Sequence, residues 1–146
     1  MLRLKLHSFL LVMLLVTWSC AGIQSGVDTE SVIKERATAY WQHKIKGELA
    51  EAYLFEAPDY REKISLTDYI ASLSGGMIIL NASVKSVSIK GSIATVPVRI
   101  NYVIPGAFGP KEGIPNEFKT CWHLHDGVWY HRIKTFDKKV PARKPQ

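Results

Sequence analysis

The sequence TCWHLHDGVWYHRI, residues 120–133, consists of two runs of alternating residues on either side of an Asp-Gly pair at 126–127. Such a pair between alternating runs is the strongest short-range signal of a β-hairpin with a two-residue turn. The loop length fixes the register, so we expect Trp122 to lie opposite His131. Trp129 then shares a face with both residues, and the bulk of the two tryptophans predicts that this face contacts the core.

The two-residue period extends back from the hairpin to about Met77. In residues 93–104 a single strand face is apolar; its members are Ala94, Val96, Val98, Ile100, Tyr102 and Ile104. A strand at about 82–90 is expected to precede it. Pro97 has no amide hydrogen to donate to a neighbouring strand, so we expect it at an edge or a bulge.

Upstream of Met77 the apolar residues recur with the helical period of 3.6. Residues 28–46 predict an amphipathic helix, and a shorter helix is expected at about 48–56, stopped by Pro58. A third helix is predicted to begin at Ser65. Helices that precede an antiparallel sheet indicate an α+β domain with three N-terminal helices on one face of a four- to five-stranded sheet.

The net charge of +6 is confined to the ends of the chain. Residues 1–20 contain two basic residues and no acid, residues 134–146 contain five basic residues and one acid, and the stretch between them is balanced. A neutral domain argues against a nucleic-acid partner. We expect residues 137–146 to form a disordered basic tail, which either aids solubility or is attracted to an anionic membrane surface.

Residues 1–21 have the pattern of a signal peptide. Arg3 and Lys5 precede the apolar run 9–16, which is too short to span a membrane because a spanning helix needs about 20 apolar residues. We therefore expect an exported, periplasmic protein with its domain at 22–136. Cleavage after Ala21 is one route; the other is lipid anchoring at Cys20, because residues 17–20 partly resemble a bacterial lipobox.

Three further segments carry a resemblance to a known superfamily. They are ATAYWQHKIKGELAEAY (37–53), APDYREKISLTDYI (57–70) and SVKSVSIKGSIATVPVRINYVI (83–104), which precede the hairpin. Together they resemble the nuclear transport factor 2-like (SnoaL-like, cystatin-like) superfamily over residues 28–136. The resemblance implies a curved, cone-shaped sheet that closes around the long helix to form a pocket. It implies no activity, because this superfamily contains both enzymes and non-catalytic proteins.

The pocket that the resemblance implies would be aromatic. Its predicted lining is Tyr40, Trp41, Tyr53, Tyr102, Trp122, Trp129 and His131. We expect a non-catalytic domain that binds a small apolar molecule or a protein partner and needs no cofactor. The alternative is a small-molecule isomerase or lyase in which His131 is the general base and Tyr40 or Tyr102 polarises a carbonyl. Such an enzyme would need an acid, and the only nearby candidate, Asp68, is already explained as a helix cap.

The opposite face of the hairpin carries His123 and His125. Alternation places the two imidazoles roughly 7 Å apart, a spacing that metal ligands use, but the sequence offers no third ligand nearby. With Tyr130 and Arg132, this face is more typical of an interface, and the superfamily resemblance implies homodimerisation through the open sheet face.

Mass spectrometry of the mature protein tests the export prediction. We expect an N-terminal peptide that begins at Gly22 or at a lipid-modified Cys20. A purified chain that still begins at Met1 would contradict the assignment of residues 1–21 as a signal peptide.

Overall fold

The computed structural model describes residues 28–107 and 109–133, in which helices precede strands. The helices are α1 (Thr29–Lys46), α2 (Leu49–Tyr53), α3 (Pro58–Arg61) and α4 (Leu66–Leu73). The strands are β1 (Ile78–Val84), β2 (Ser88–Lys90), β3 (Ile93–Val103), β4 (Ile114–His125) and β5 (Val128–Arg132). The predicted signal peptide, Cys20 and the tail at 137–146 lie outside the described residues.

The long first helix forms as its end signals predict. The Asp28 side chain accepts a hydrogen bond from the amide of Glu30, and Gly47 adopts a left-handed conformation (φ 74°) that ends the helix. One stripe of the helix is buried, comprising Ile33, Ala37, Tyr40 and Trp41. Of the described helices, none is long and apolar enough to cross a membrane.

The second predicted helix is shorter than expected, and the role assigned to Pro58 is wrong. Helix α2 ends at Tyr53, and Pro58 is the first residue of α3 rather than a stop signal. Proline suits that position because the first amide of a helix needs no partner within the helix. Ser65 caps α4 as predicted, since its Oγ accepts from the amide of Asp68 at 3.1 Å.

The predicted α+β class is confirmed. The helices pack against a curved, antiparallel half-barrel in which the strand order is β1-β3-β4-β5 and β2 also pairs with β3. The core between the layers contains Ile33, Ala37 and Tyr40 of α1 and alternate residues of β3, namely Ala94, Val96, Val98 and Ile100.

The single strand predicted at 82–90 is instead two strands, β1 and β2. Pro97 explains the break, because it lies between the part of β3 that pairs with β2 and the part that pairs with β1. Its carbonyl accepts from the amide of Lys85, so its missing amide hydrogen faces the gap between the two strands.

The hairpin confirms the predicted register. Trp122 lies opposite His131, and the turn residues Asp126 and Gly127 have φ values of 48° and 77°, as a two-residue type I′ hairpin turn requires. Leu124 lies opposite Trp129 and so shares its face of the hairpin, but Leu124 is 41% exposed because it lies beside the turn.

Candidate functional site

A buried carboxylate and a buried imidazole meet between the helices and the last strand. Glu56 is completely buried, and its Oε2 lies 2.8 Å from Nδ1 of His131, which retains 7% exposure. An ionised carboxylate can only accept hydrogen bonds, so in that state Nδ1 carries the hydrogen. The pair therefore has the arrangement of a base and the carboxylate that orients it.

Two tyrosines complete the surroundings of this carboxylate. The hydroxyl of Tyr40 donates to Glu56 Oε1 at 3.0 Å, and that of Tyr69 donates to the same oxygen at 3.2 Å. Burial, followed by the proximity of Glu56, raises the pKa of both phenols above 10. Both tyrosines therefore remain donors throughout the neutral range. The carboxylate is thus hydrogen-bonded by side chains from α1, α4 and β5.

Main-chain hydrogen bonds between the neighbours of Glu56 and the outer edge of β5 hold Glu56 in place. The amide of His131 donates to the carbonyl of Phe55 at 2.7 Å, and the amide of Ala57 donates to the carbonyl of His131 at 2.9 Å. These bonds form a short parallel bridge that occupies an otherwise open strand edge. Residues 55–57 are thus fixed opposite His131, and the Glu56 side chain points into the core beside it.

The expectation that no acid other than Asp68 lies near His131 is wrong, because Glu56 is there. Asp68 is exposed at the start of α4, where its Oδ2 accepts from the hydroxyl of Ser65. The sequence did contain a signal for Glu56, since it follows Ala52 by four residues and so continues the apolar face of the predicted second helix.

Five of the seven residues predicted to line a pocket are buried together; they are Tyr40, Trp41, Trp122, Trp129 and His131. Tyr40 is central, with its ring stacked on His131 at 4.5 Å and edge-on to Trp122 at 6.0 Å. Tyr53 and Tyr102 are half-buried, and the Tyr53 hydroxyl bonds to main-chain carbonyl groups near α3. Within this set, Tyr40 and Trp122 are the rings that pack against His131.

An open cleft lies to one side of this cluster, between the C-terminal half of α1 and the junction of α4 with β1. Its volume is about 480 Å³ and its walls are mostly apolar, with Trp41, Ile45, Leu49, Leu73, Ile79 and Phe118 among them. Of the seven predicted pocket residues, Trp41 borders this cleft and His131 does not. The described polar side chains on the walls are Lys44, Lys46, Ser72 and Asn116.

Lys44 connects the cleft to the buried carboxylate. Its Nζ lies 3.5 Å from the hydroxyl oxygen of Tyr40 and 5.4 and 5.5 Å from the ring centres of Tyr40 and Trp41. Burial lowers the pKa of Lys44, and the nearby Glu56 partly opposes this effect. A continuous series of contacts therefore runs from the cleft through Lys44 and Tyr40 to Glu56 and His131.

The His123 and His125 pair lies on the other face of the sheet. His123 Nε2 is 3.4 Å from Cys121 Sγ, and the exposed His125 is 3.1 Å from the carboxylate of Asp126. Burial, followed by the charge of Arg132, lowers the pKa of His123. Within residues 28–107 and 109–133, no group of three or more His, Cys, Asp or Glu side chains is arranged to hold a metal.

Comparisons with known proteins bear on the fold alone. No family model and no curated protein matches the chain. A solved SEC-C motif containing protein from Rhodopseudomonas palustris shares 16% identity at a TM-score of 0.51, over 67% of this chain and 73% of its own. A solved nuclear transport factor 2-like transpeptidase from Campylobacter jejuni shares 11% identity at a TM-score of 0.46, over 68% of this chain and 96% of its own.

The raised pKa values of the buried tyrosines predict a loss of stability in alkali. An unfolded tyrosine ionises near pH 10 and the folded Tyr69 does not, so its stabilising contribution is complete below pH 10 and declines above it. Above pH 10 the free energy of unfolding of the wild type should fall more steeply with pH than that of Tyr69→Phe, by about 1.4 kcal/mol per pH unit. Urea denaturation between pH 8 and pH 11.5 measures both slopes. Parallel slopes for the variant and the wild type above pH 10 would contradict the assignment.

Proposed function

We propose that the protein is an exported member of the nuclear transport factor 2-like superfamily whose domain binds a small apolar molecule in the cleft beside Lys44. The cleft itself carries this proposal. Its volume of about 480 Å³ and its apolar walls with a few polar groups are typical of small-molecule sites, which span roughly 300–1,000 Å³. Burial of apolar ligand surface there would contribute roughly 25 cal/mol per Å².

The burial of the Glu56–His131 pair favours binding over catalysis. A general base must approach the proton that it removes to within about 3.2 Å, directly or through one water. Here Tyr40 stacks on the imidazole, Trp122 packs edge-on against it, and the ring is not part of the cleft wall. The isomerase or lyase alternative draws support from the geometry of the pair, but it would need a route by which a substrate reaches His131.

We also propose that the protein is exported to the periplasm. The charged start, the apolar run 9–16 and Cys20 support export to the periplasm, with the domain either free or anchored by lipid at Cys20. An apolar ligand suits the anchored form in particular, because a site near a membrane has access to molecules that partition into lipid.

Binding of a neutral fluorescent probe tests the proposed function. N-phenyl-1-naphthylamine becomes fluorescent in apolar surroundings, and we expect it to bind the wild-type protein saturably. Leu73 forms part of the cleft wall, so Leu73→Trp should fill the site and weaken probe binding at least about tenfold.

Leu54→Trp is the matched control, because Leu54 is 58% exposed and does not border the cleft. This variant should bind the probe like the wild type. The difference in probe affinity between the two variants is the informative quantity, because it cancels any uptake of probe outside the cleft. Equal affinity of the Leu73 and Leu54 variants for the probe would contradict a site in the cleft.

A further inference from the structure

The charged side chains among the described residues of the cleft wall are all basic. Among the described residues that line the cleft are two lysines and no acid. Lys46 is exposed at the surface, where solvent screens its charge, whereas Lys44 is partly buried against aromatic rings. The electrostatic character of the interior of the cleft therefore depends on Lys44.

Lys44 lacks the partner that a desolvated cation usually has. In the part of the chain that the structure describes, its Nζ forms no ion pair with a carboxylate, and its nearest polar contact is the hydroxyl of Tyr40 at 3.5 Å. Contacts with the faces of Tyr40 and Trp41 offset part of the desolvation cost. A buried charge is costly unless it is paired, so this ammonium group is suited to an anion from outside the chain.

The aromatic ring that contacts Lys44 belongs to the same stretch of wall. Trp41 borders the cleft and lies three residues before Lys44, so the two side chains are neighbours on α1. The indole Nε1 of Trp41 is itself buried, and within the described residues it has no hydrogen-bond partner. The charged contact to a ligand in the cleft would therefore come from Lys44.

We propose that the cleft is specific for apolar carboxylic acids, with the carboxylate bound by Lys44 and the hydrocarbon part lying along the apolar walls. This inference rests on the proposed function and adds the class of ligand to it. A carboxylate carries a single negative charge, which one lysine neutralises. A phosphate monoester carries nearly two, so one of them would remain uncompensated among apolar groups.

Competition with the bound probe measures the preference for an acid directly. Decanoate and decan-1-ol have the same hydrocarbon chain and differ in the charged group. At pH 8 we expect decanoate to displace N-phenyl-1-naphthylamine from the wild-type protein at a concentration at least about tenfold lower than decan-1-ol. Lys44→Met retains the length of the side chain and removes its charge, so it should abolish this preference while leaving the affinity for decan-1-ol within about twofold.

Lys46→Met is the matched control, because it removes a lysine from the same cleft at an exposed position; it should keep the preference. Lys44→Arg retains the charge, so this variant should also keep the preference for decanoate. Equal displacement by decanoate and decan-1-ol in the wild type would overturn the carboxylate inference and leave the proposed apolar site standing. Failure of both compounds to displace the probe would overturn the apolar site itself.

Discussion

The packing of this domain depends on one buried carboxylate. Glu56 accepts hydrogen bonds from Tyr40 on α1 and Tyr69 on α4, and it pairs with His131 on β5, so a single side chain ties two helices to the edge of the sheet. Each of these groups would be costly to bury alone, because an unpaired polar or charged group in a core loses its hydration without compensation. The three elements can therefore pack in this way only when all the partners are present.

The same network positions the cationic wall of the cleft. The Tyr40 hydroxyl group donates its hydrogen to Glu56, and its oxygen faces the Nζ of Lys44. The lysine is thereby held against the rings of Tyr40 and Trp41 on the wall of the cleft. One end of this series of contacts is covered and contributes to the fold, while the other end is open and supplies the polar part of the proposed site.

Local signals in the sequence predicted much of the fold. The turn at Asp126 and Gly127 fixed the register of the last two strands, because this residue pair favours the left-handed backbone of a type I′ two-residue hairpin turn. Pro58 misled the prediction because a proline can follow one helix or begin another. Glu56 was missed because hydrophobic periodicity assigns charged residues to the surface, and its partners come from distant parts of the chain. The cleft could not be predicted, since a space between packed elements has no periodicity of its own.

The most direct test of the Lys44 cleft as a binding site is a ¹H–¹⁵N spectrum of the labelled protein titrated with decanoate. We expect saturable shifts of the Trp41 indole resonance and of the amides of Gly47 and Gly76, which border the cleft. Gly91 and Gly127 line a separate surface depression and serve as internal references. Shifts concentrated at Gly91 and Gly127, with the resonances of the cleft unchanged, would contradict the assignment of the ligand to this site.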